Sequence, residues 1–275
     1  MLLLSLTTWS LHRCLGPLHW TVWDEQAGAV ATKIEQQPEL LTLLELPHVL
    51  AEKKFAAVEI GHFHIRDTSD QYLSALSQAI GESGIRLYSL LLDYGDISAA
   101  DERRRRADIE WIKGWIDIAR KVGAERVRVV AGEGDPTDKE ALHRSLAALQ
   151  ELIAYAAGTG VRIVTENFRP LASTADNCLS LLAGCGPDLG LISDFGNYNG
   201  PHKYEELSRT APHSETIHAK ASTDEDGRPD EQEFARCMSV VRDAQFTGAV
   251  TIVYDGPGDM WAGIDRVRRL AGIGE

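Results

Sequence analysis

Eight short apolar runs, rich in Val, Ile and Leu, recur along the chain with amphipathic stretches between them. They are LLLSLTTW (2–9), AAVEIGH (56–62), RLYSLLLD (86–93), RVRVVAG (126–132), VRIVTEN (161–167), LGLISDF (189–195), ETIHAKA (215–221) and AVTIVYD (249–255). Each has the length and composition of a β-strand. The intervening segments read as helices. In DERRRRADIEWIKGWIDIARKVGA, Ile109, Ile112, Ile116 and Ile118 recur at roughly helical spacing, and Gly123 marks the stop. The four arginines at 103–106 have acidic flanks and read as a solvated helix face. Eightfold strand–helix alternation over 275 residues predicts an α/β fold, a (β/α)8 TIM barrel forming one domain over 1–275. An open doubly wound sheet is the competing topology, but its G-x-G-x-x-G turn after an early strand is absent.

Composition narrows the partners. A formal net charge of −13 argues against nucleic acid or an anionic membrane surface. The opening MLLLSL lacks a cationic leader region and runs straight into TTWS, so it reads as the first strand. No stretch approaches the ~18 consecutive apolar residues of a membrane helix. The four cysteines show neither C-x-x-C nor zinc-ligand spacing, which fits reduced thiols in a cytoplasmic protein. There is no G-x-S-x-G and no phosphate-cradling loop.

A barrel of this kind carries its chemistry at the C-terminal strand ends. Ionisable residues gather there: Glu59, His62 and His64 after the second run, Glu166 in the fifth, Asp194 and Asn197 in the sixth, His218 and Lys220 in the seventh, Asp255 in the eighth. Glu166, Asp194 and His218 make an oxygen/nitrogen donor set for one divalent cation, with Mn²⁺, Mg²⁺, Co²⁺ and Zn²⁺ all open. A cation there polarises a carbonyl and hydroxyl pair and leaves proton transfer to a nearby group. Lys220 shares a face with His218 and suits an oxyanion or an anionic substituent, against the alternative of a surface ion pair. For His62 and His64, proton transfer or substrate contact competes with plain loop packing. Arg128 points inward or outward depending on register. The connection from about 10 to 41 is unusually long; with Trp20, Trp23, His12 and His19 it reads as a lid over the mouth or as a structural flap.

These residues resemble a known group, the sugar phosphate isomerase/epimerase family of xylose isomerase-like TIM barrels. The resemblance is carried by TTWSLHR (7–13), VEIGHFH (58–64), VRIVTEN (161–167), LISDFGN (191–197), IHAKASTDEDG (217–227) and FTGAVTIVYDG (246–256). It implies metal ligands at Glu166, Asp194 and His218 and substrate-side roles for Glu59, His62, His64 and Lys220. Asn197, Trp20 and Asp255 complete the candidates for substrate contact. The family's eighth strand usually reads I-E-Y-E-G, its first Glu being the fourth ligand and second acid/base. Here Val253 occupies that position, and Asp255 lies two residues further, roughly 6–7 Å along the strand. Phe168 stands where the family often has histidine.

The implied activity is a metal-dependent isomerisation or epimerisation of a keto sugar or related polyol through an enediolate. Proton transfer would fall to Glu166, to His62 or His64, or to Lys220. The missing second glutamate favours a one-base elimination, that is, a lyase or dehydratase. The alternative is a non-catalytic barrel with a sugar-binding or partner-binding mouth. A small carbohydrate is the expected ligand in either case, and the resemblance allows a homo-oligomer.

Overall fold

All eight apolar runs form strands, and an additional pair appears in the long first connection. In chain order the strands are β1 (Leu3–Thr7), β2 (Leu18–Asp24), β3 (Ala29–Glu35), β4 (Ala57–Gly61), β5 (Arg86–Leu91), β6 (Arg126–Arg128), β7 (Arg162–Glu166), β8 (Leu189–Asp194), β9 (Thr216–Lys220) and β10 (Ala249–Val253). The computed structural model describes residues 2–273; Met1, Gly274 and Glu275 of the expected 1–275 domain lie outside them. β1 and β4–β10 are parallel and close in the order β1-β10-β9-β8-β7-β6-β5-β4. The fold is a (β/α)8 barrel, not an open sheet.

The helices are α1 (Leu46–Glu52), α2 (Asp70–Ser83), α3 (Glu102–Val122), α4 (Lys139–Ala156), α5 (Ala175–Cys185), α6 (Lys203–Thr210), α7 (Glu231–Asp243) and α8 (Met260–Ala271). Asp101, Asp138 and Asp230 cap three of them by accepting backbone N–H bonds of the first turn. Gly123 ends α3 at φ 77°, a left-handed conformation that costs glycine nothing.

Strand alternation sorts the side chains into two cores. Leu6, Ile60, Val127, Ile163, Ile217 and Ile252 face outward and join the helices in the main apolar cluster. Leu91, Val164 and Ile192 form a smaller cluster inside the barrel. Tyr254 also points outward, toward α8. A Cβ added to Gly263 would meet its ring at 2.2 Å, so glycine there is what lets α8 lie close to the β10 end.

The 10–41 connection is not an irregular loop. β2 and β3 pair antiparallel from Leu18↔Glu35 to Asp24↔Ala29. The turn is held by Asp24, whose carboxylate accepts from Gln26 and Ala27 N–H at 2.9 and 3.0 Å. This hairpin packs between the turn at 62–64 and α3. Arg103 binds it through the Gly28 carbonyl at 3.1 Å, and Arg104 lies over the Trp23 ring at 5.9 Å. Part of the expected solvated arginine face is therefore committed to the hairpin.

Candidate active site

Parallel pairing sets the polar strand ends side by side. The register matches Asp194 with His218, and Val253 with Lys220. The side chains project into a cavity of about 320 Å³ at the C-terminal mouth, lined by Glu166, Asp194, Asn197, His218, Lys220, Val253 and Asp255 among others.

Glu166, Asp194 and His218 bring one donor atom each to within 4.8 Å of one another. His218 Nδ1 lies 3.5 Å from Glu166 Oε1 and 3.5 Å from Asp194 Oδ2. All three are buried. Both carboxylates are held in place. Asn197 Nδ2 donates to Glu166 Oε1 at 3.0 Å, and the Gly196 N–H donates to Asp194 Oδ1 at 2.6 Å. Asn167 stitches β7 to β8, donating to the Asp194 carbonyl at 3.1 Å and accepting its N–H at 2.7 Å. A Cβ at Gly196 would meet Lys220 Cδ at 2.8 Å, so that glycine admits the lysine stem.

The donor set fits a divalent cation, and the far side of the imidazole shows why. His218 Nε2 is 2.7 Å from Glu59 Oε2, and Ser89 Oγ donates to Glu59 Oε1 at 2.8 Å. A carboxylate behind an imidazole fixes the ring and turns its other nitrogen toward the site, as in metal-ligating histidines. Glu166 Oε2 is buried without a hydrogen bond; it has only the ionic contact of Arg128 Nε at 3.1 Å, so its lone pairs are not saturated. Burial opposes charging His218, but Glu59 and Glu166 together hold its pKa well above the usual value. Burial likewise disfavours the Glu59 carboxylate, yet His218 and Ser89 hold its pKa below the usual range.

Glu59, expected as a substrate contact, is placed away from the cavity surface. It is fully buried and does not line the cavity. Its access is blocked because it sits beneath His218. Glu59→Gln is expected to keep the fold and weaken Mn²⁺ binding by roughly 10–100-fold in a calorimetric titration. Unaltered affinity would rule out an orienting role.

His62 and His64, for which proton transfer or substrate contact competes with loop packing, are placed in the packing around the β4 turn. His62 and His64 are 2 % and 1 % exposed, and neither lines the cavity. His62 Nδ1 accepts the Asp93 N–H at 3.3 Å, leaving Nε2 toward Thr21 Oγ1 of the hairpin at 3.2 Å. Its ring sits edge-on to Trp111 and Trp115. His64 Nδ1 is 2.9 Å from Thr8 Oγ1, which ties the β4 turn to the β1 turn. Burial lowers the pKa of His62 to about 4 and that of His64 to about 3, so both rings are neutral at pH 7. VEIGHFH turns a helical corner after Gly61, and Phe63, not the histidines, reaches the mouth.

Lys220 Nζ is 2.7 Å from Asp255 Oδ2 at the rim. Partial burial works against its charge, but Asp194 and Asp255 keep its pKa above the usual value. It is an ammonium at neutral pH. Val253 lines the cavity beside this pair and offers no donor. Trp20 also lines it, its ring 4.4 Å from Phe63 and 6.0 Å from Trp9. His12 stacks on Trp9 at 4.2 Å and supports that wall from behind.

Nothing in the sequence singles out Asp93 or Arg169, Phe168 stands out only as a departure from the family pattern, and the direction of Arg128 is left open. Arg128 is 4 % exposed and lines the cavity. Its Nε is 3.1 Å from Glu166 Oε2, and Nη2 donates to Asp93. Its guanidinium lies 5.1 Å from the Phe168 ring centre. The nearby signal was RVR in the fourth run, since the residue two before Arg128 shares its face.

The model of one protein family, described as xylose isomerase-like TIM barrel, matches residues 47–270. Comparison with curated proteins finds no match. Among solved structures, an L-ribulose 3-epimerase superposes with a TM-score of 0.70 at 16% identity, covering 99% of this chain and 94% of that one. A 3-keto-D-glucoside 4-epimerase from E. coli gives 0.67 at 15%, covering 99% and 100%. A xylose isomerase-like TIM barrel protein from Mycobacterium smegmatis, in complex with magnesium, gives 0.63 at 14%, covering 83% and 87%. At such identities the superpositions speak for the fold alone. The family match spans most of the sequence and the closed barrel agrees with it: this chain belongs to the xylose isomerase-like TIM barrel family.

Proposed function

We propose that this barrel is a divalent-cation-dependent enzyme of the sugar isomerase/epimerase type, acting on a keto sugar or related polyol. The observation that carries this reading is the convergence of Glu166, Asp194 and His218 on the floor of a cavity that also holds Lys220. Those three residues would hold the cation, which when bound supplies Lewis-acid polarisation of a carbonyl and a neighbouring hydroxyl. Trp9, Trp20 and Phe63 line the cavity and give it aromatic surface suited to the apolar side of a sugar. Glu166 takes the proton from the carbon next to the carbonyl, and Asn197 holds the carboxylate at the angle this requires.

The second proton decides the reaction class. Lys220 is charged and held by Asp255, so it donates a proton and does not accept one. A base at Glu166 and an acid at Lys220 match β-elimination: carbon–hydrogen cleavage by the carboxylate, departure of the β-hydroxyl as water with the lysine's proton. Within the class we favour this dehydration over a two-base epimerisation. The rival reading, a sugar- or partner-binding barrel without turnover, draws on Val253 alone.

Titration with Mn²⁺, Co²⁺, Zn²⁺ and Mg²⁺ is the first test, with at least one expected to bind at about micromolar Kd. A protein that binds none of them at that level is not a metal enzyme. Ketoses, inososes and 3-keto sugars, incubated in D₂O, are expected to show deuterium beside the carbonyl and loss of water. Val253→Glu adds a carboxylate beside Lys220 and is expected to tighten the cation at least ~10-fold. It is also expected to raise epimerised product relative to dehydrated product. No change in either would mean that position 253 does not reach the cation.

A further inference from the structure

Three side chains with no direct place in the cation site, His62, Arg128 and Arg169, meet at one residue, Asp93. It follows β5 by two positions and lines the mouth, its side chain 22 % exposed. Each of its other polar groups is held. The Asp93 N–H donates to His62 Nδ1 at 3.3 Å, its carbonyl accepts from Arg169 Nη2 at 3.0 Å, and Oδ1 accepts from Arg128 Nη2. Only Oδ2 has no hydrogen-bond partner among the described residues.

The supports are themselves anchored. His62 is buried and neutral, so its Nδ1 can accept the Asp93 N–H. Arg128 is fixed from behind by the Leu92 carbonyl at 3.2 Å and by Glu166. Arg169 has φ 70° and ψ 160°, a region almost reserved for glycine, and from there its side chain reaches both the Asp93 carbonyl and Glu133. Such strain persists only where the surroundings over-determine it, and it gathers at ligand clamps. A carboxylate fixed at three points presents its remaining oxygen in one direction, which is how a supporting shell orients a ligand contact.

The barrel's strand order gives Asp93 its place relative to the cation site. In the closed order β1-β10-β9-β8-β7-β6-β5-β4, β5 lies four strands from β9, diametrically across the barrel. Asp93 therefore stands on the wall opposite Lys220, and Glu166, Asp194 and His218, on β7, β8 and β9, occupy the arc that joins the two. A chain whose carbonyl sits at those three residues and which crosses the mouth ends against Asp93. A carboxylate accepts hydrogen bonds and donates none, so it takes an O–H and repels a phosphate or a second carboxylate. A C–H group in the same place would leave the oxygen unpaired, at a cost in binding.

We infer that Asp93 reads a substrate hydroxyl remote from the reacting carbonyl, accepting its O–H at Oδ2, and that His62, Arg128 and Arg169 are the residues that position it. This rests on the mouth being a keto-sugar site. The test is calorimetric binding of D-fructose, D-tagatose and L-sorbose in the presence of Mn²⁺, then of the monodeoxy derivatives of whichever binds tightest. At least one derivative is expected to bind roughly tenfold weaker than its parent. In Asp93→Ala that derivative and its parent are expected to differ less than ~3-fold, because the deleted hydroxyl and the deleted carboxylate are partners. Asp93→Asn keeps the shape and an acceptor for Arg128, and is expected to narrow the gap at least ~2-fold even if the alanine variant does not fold. A gap that persists in the variants, an equal loss for every sugar, no derivative weaker than its parent, or no parent binding at about 10 mM overturns the inference. Deuterium exchange beside the carbonyl separates the two readings. A gap that depends on Asp93, without exchange, keeps the hydroxyl contact and removes the mouth chemistry; exchange with a gap indifferent to Asp93 does the reverse.

Discussion

Glu166→Gln is expected to lower turnover by ~10³-fold or more, with the loss in kcat rather than in KM. An amide cannot accept the carbon-bound proton, and it is a poor cation ligand. The change is nearly isosteric, so the fold should survive. Oε1, which accepts from Asn197, and Oε2, 3.1 Å from Arg128, lie in a site where glutamine still fits. Two measurements read the two roles. Cation titration reports the ligand, and the rate of deuterium exchange at saturating cation reports the base. A variant that binds the cation at reduced affinity but exchanges no deuterium places the proton transfer at Glu166. A variant retaining more than a tenth of wild-type exchange, once saturated with cation, would move that step to another residue.

The second large effect concerns stability. Arg128→Leu, measured on cation-free protein, is expected to cost about 3 kcal/mol of unfolding free energy. For a chain of this size that is a fall in Tm of roughly 6–12 °C. The guanidinium is buried between Glu166 and Asp93 and lies over Phe168. Burial opposes its charge, but Asp93 and Glu166 keep its pKa above even the usual arginine value. Without it two carboxylates crowd one pocket with nothing to balance them, which is where the cost arises. Saturating Mn²⁺ is expected to recover part of the loss, because a cation replaces the missing positive charge beside Glu166. A shift below about 1 kcal/mol would show that water already screens the pair.

The barrel was legible because its signal is periodic and local. Eight apolar runs separated by helical patterns admit few topologies, and all eight became strands of one closed sheet. The hairpin was legible too, in hindsight. LHWTVWD and AVATKIE alternate around EQAG, the turn chemistry of a short connection. Neither half is a continuous apolar run, so the segment lacks the strand signal that marks the other eight. Its strands lie on the barrel's surface and need only one covered face.

At the site, Glu166, Asp194 and His218 were recognisable because each closes a strand whose register the barrel dictates. His62 and His64 show the limit. They follow β4 in a helical corner, so their direction depends on a turn, and burial against Trp111, Trp115 and Thr8 decided it. Glu59 is a polar residue on the correct inward face of its strand, yet one layer too deep. Sequence spacing gives the face of a strand but not the depth at which a side chain meets its partner across the barrel.

What the chain's own order of residues determined is the alternation, hence the closed barrel, and the set of acids, imidazoles and amines at its mouth. Only the tertiary structure decided which of them meet. Glu59 and His218 are 159 positions apart yet form one hydrogen-bonded unit, and Arg128 became the counter-charge of Glu166. The same holds for position 253. The sequence shows a valine where a glutamate is usual, and the folded barrel turns that valine into the cavity beside Lys220 and Asp255. The physical reason is range. Hydrophobic periodicity is written within a few residues, whereas burial, ion pairing and metal-ligand geometry arise between strands brought together only when the sheet closes.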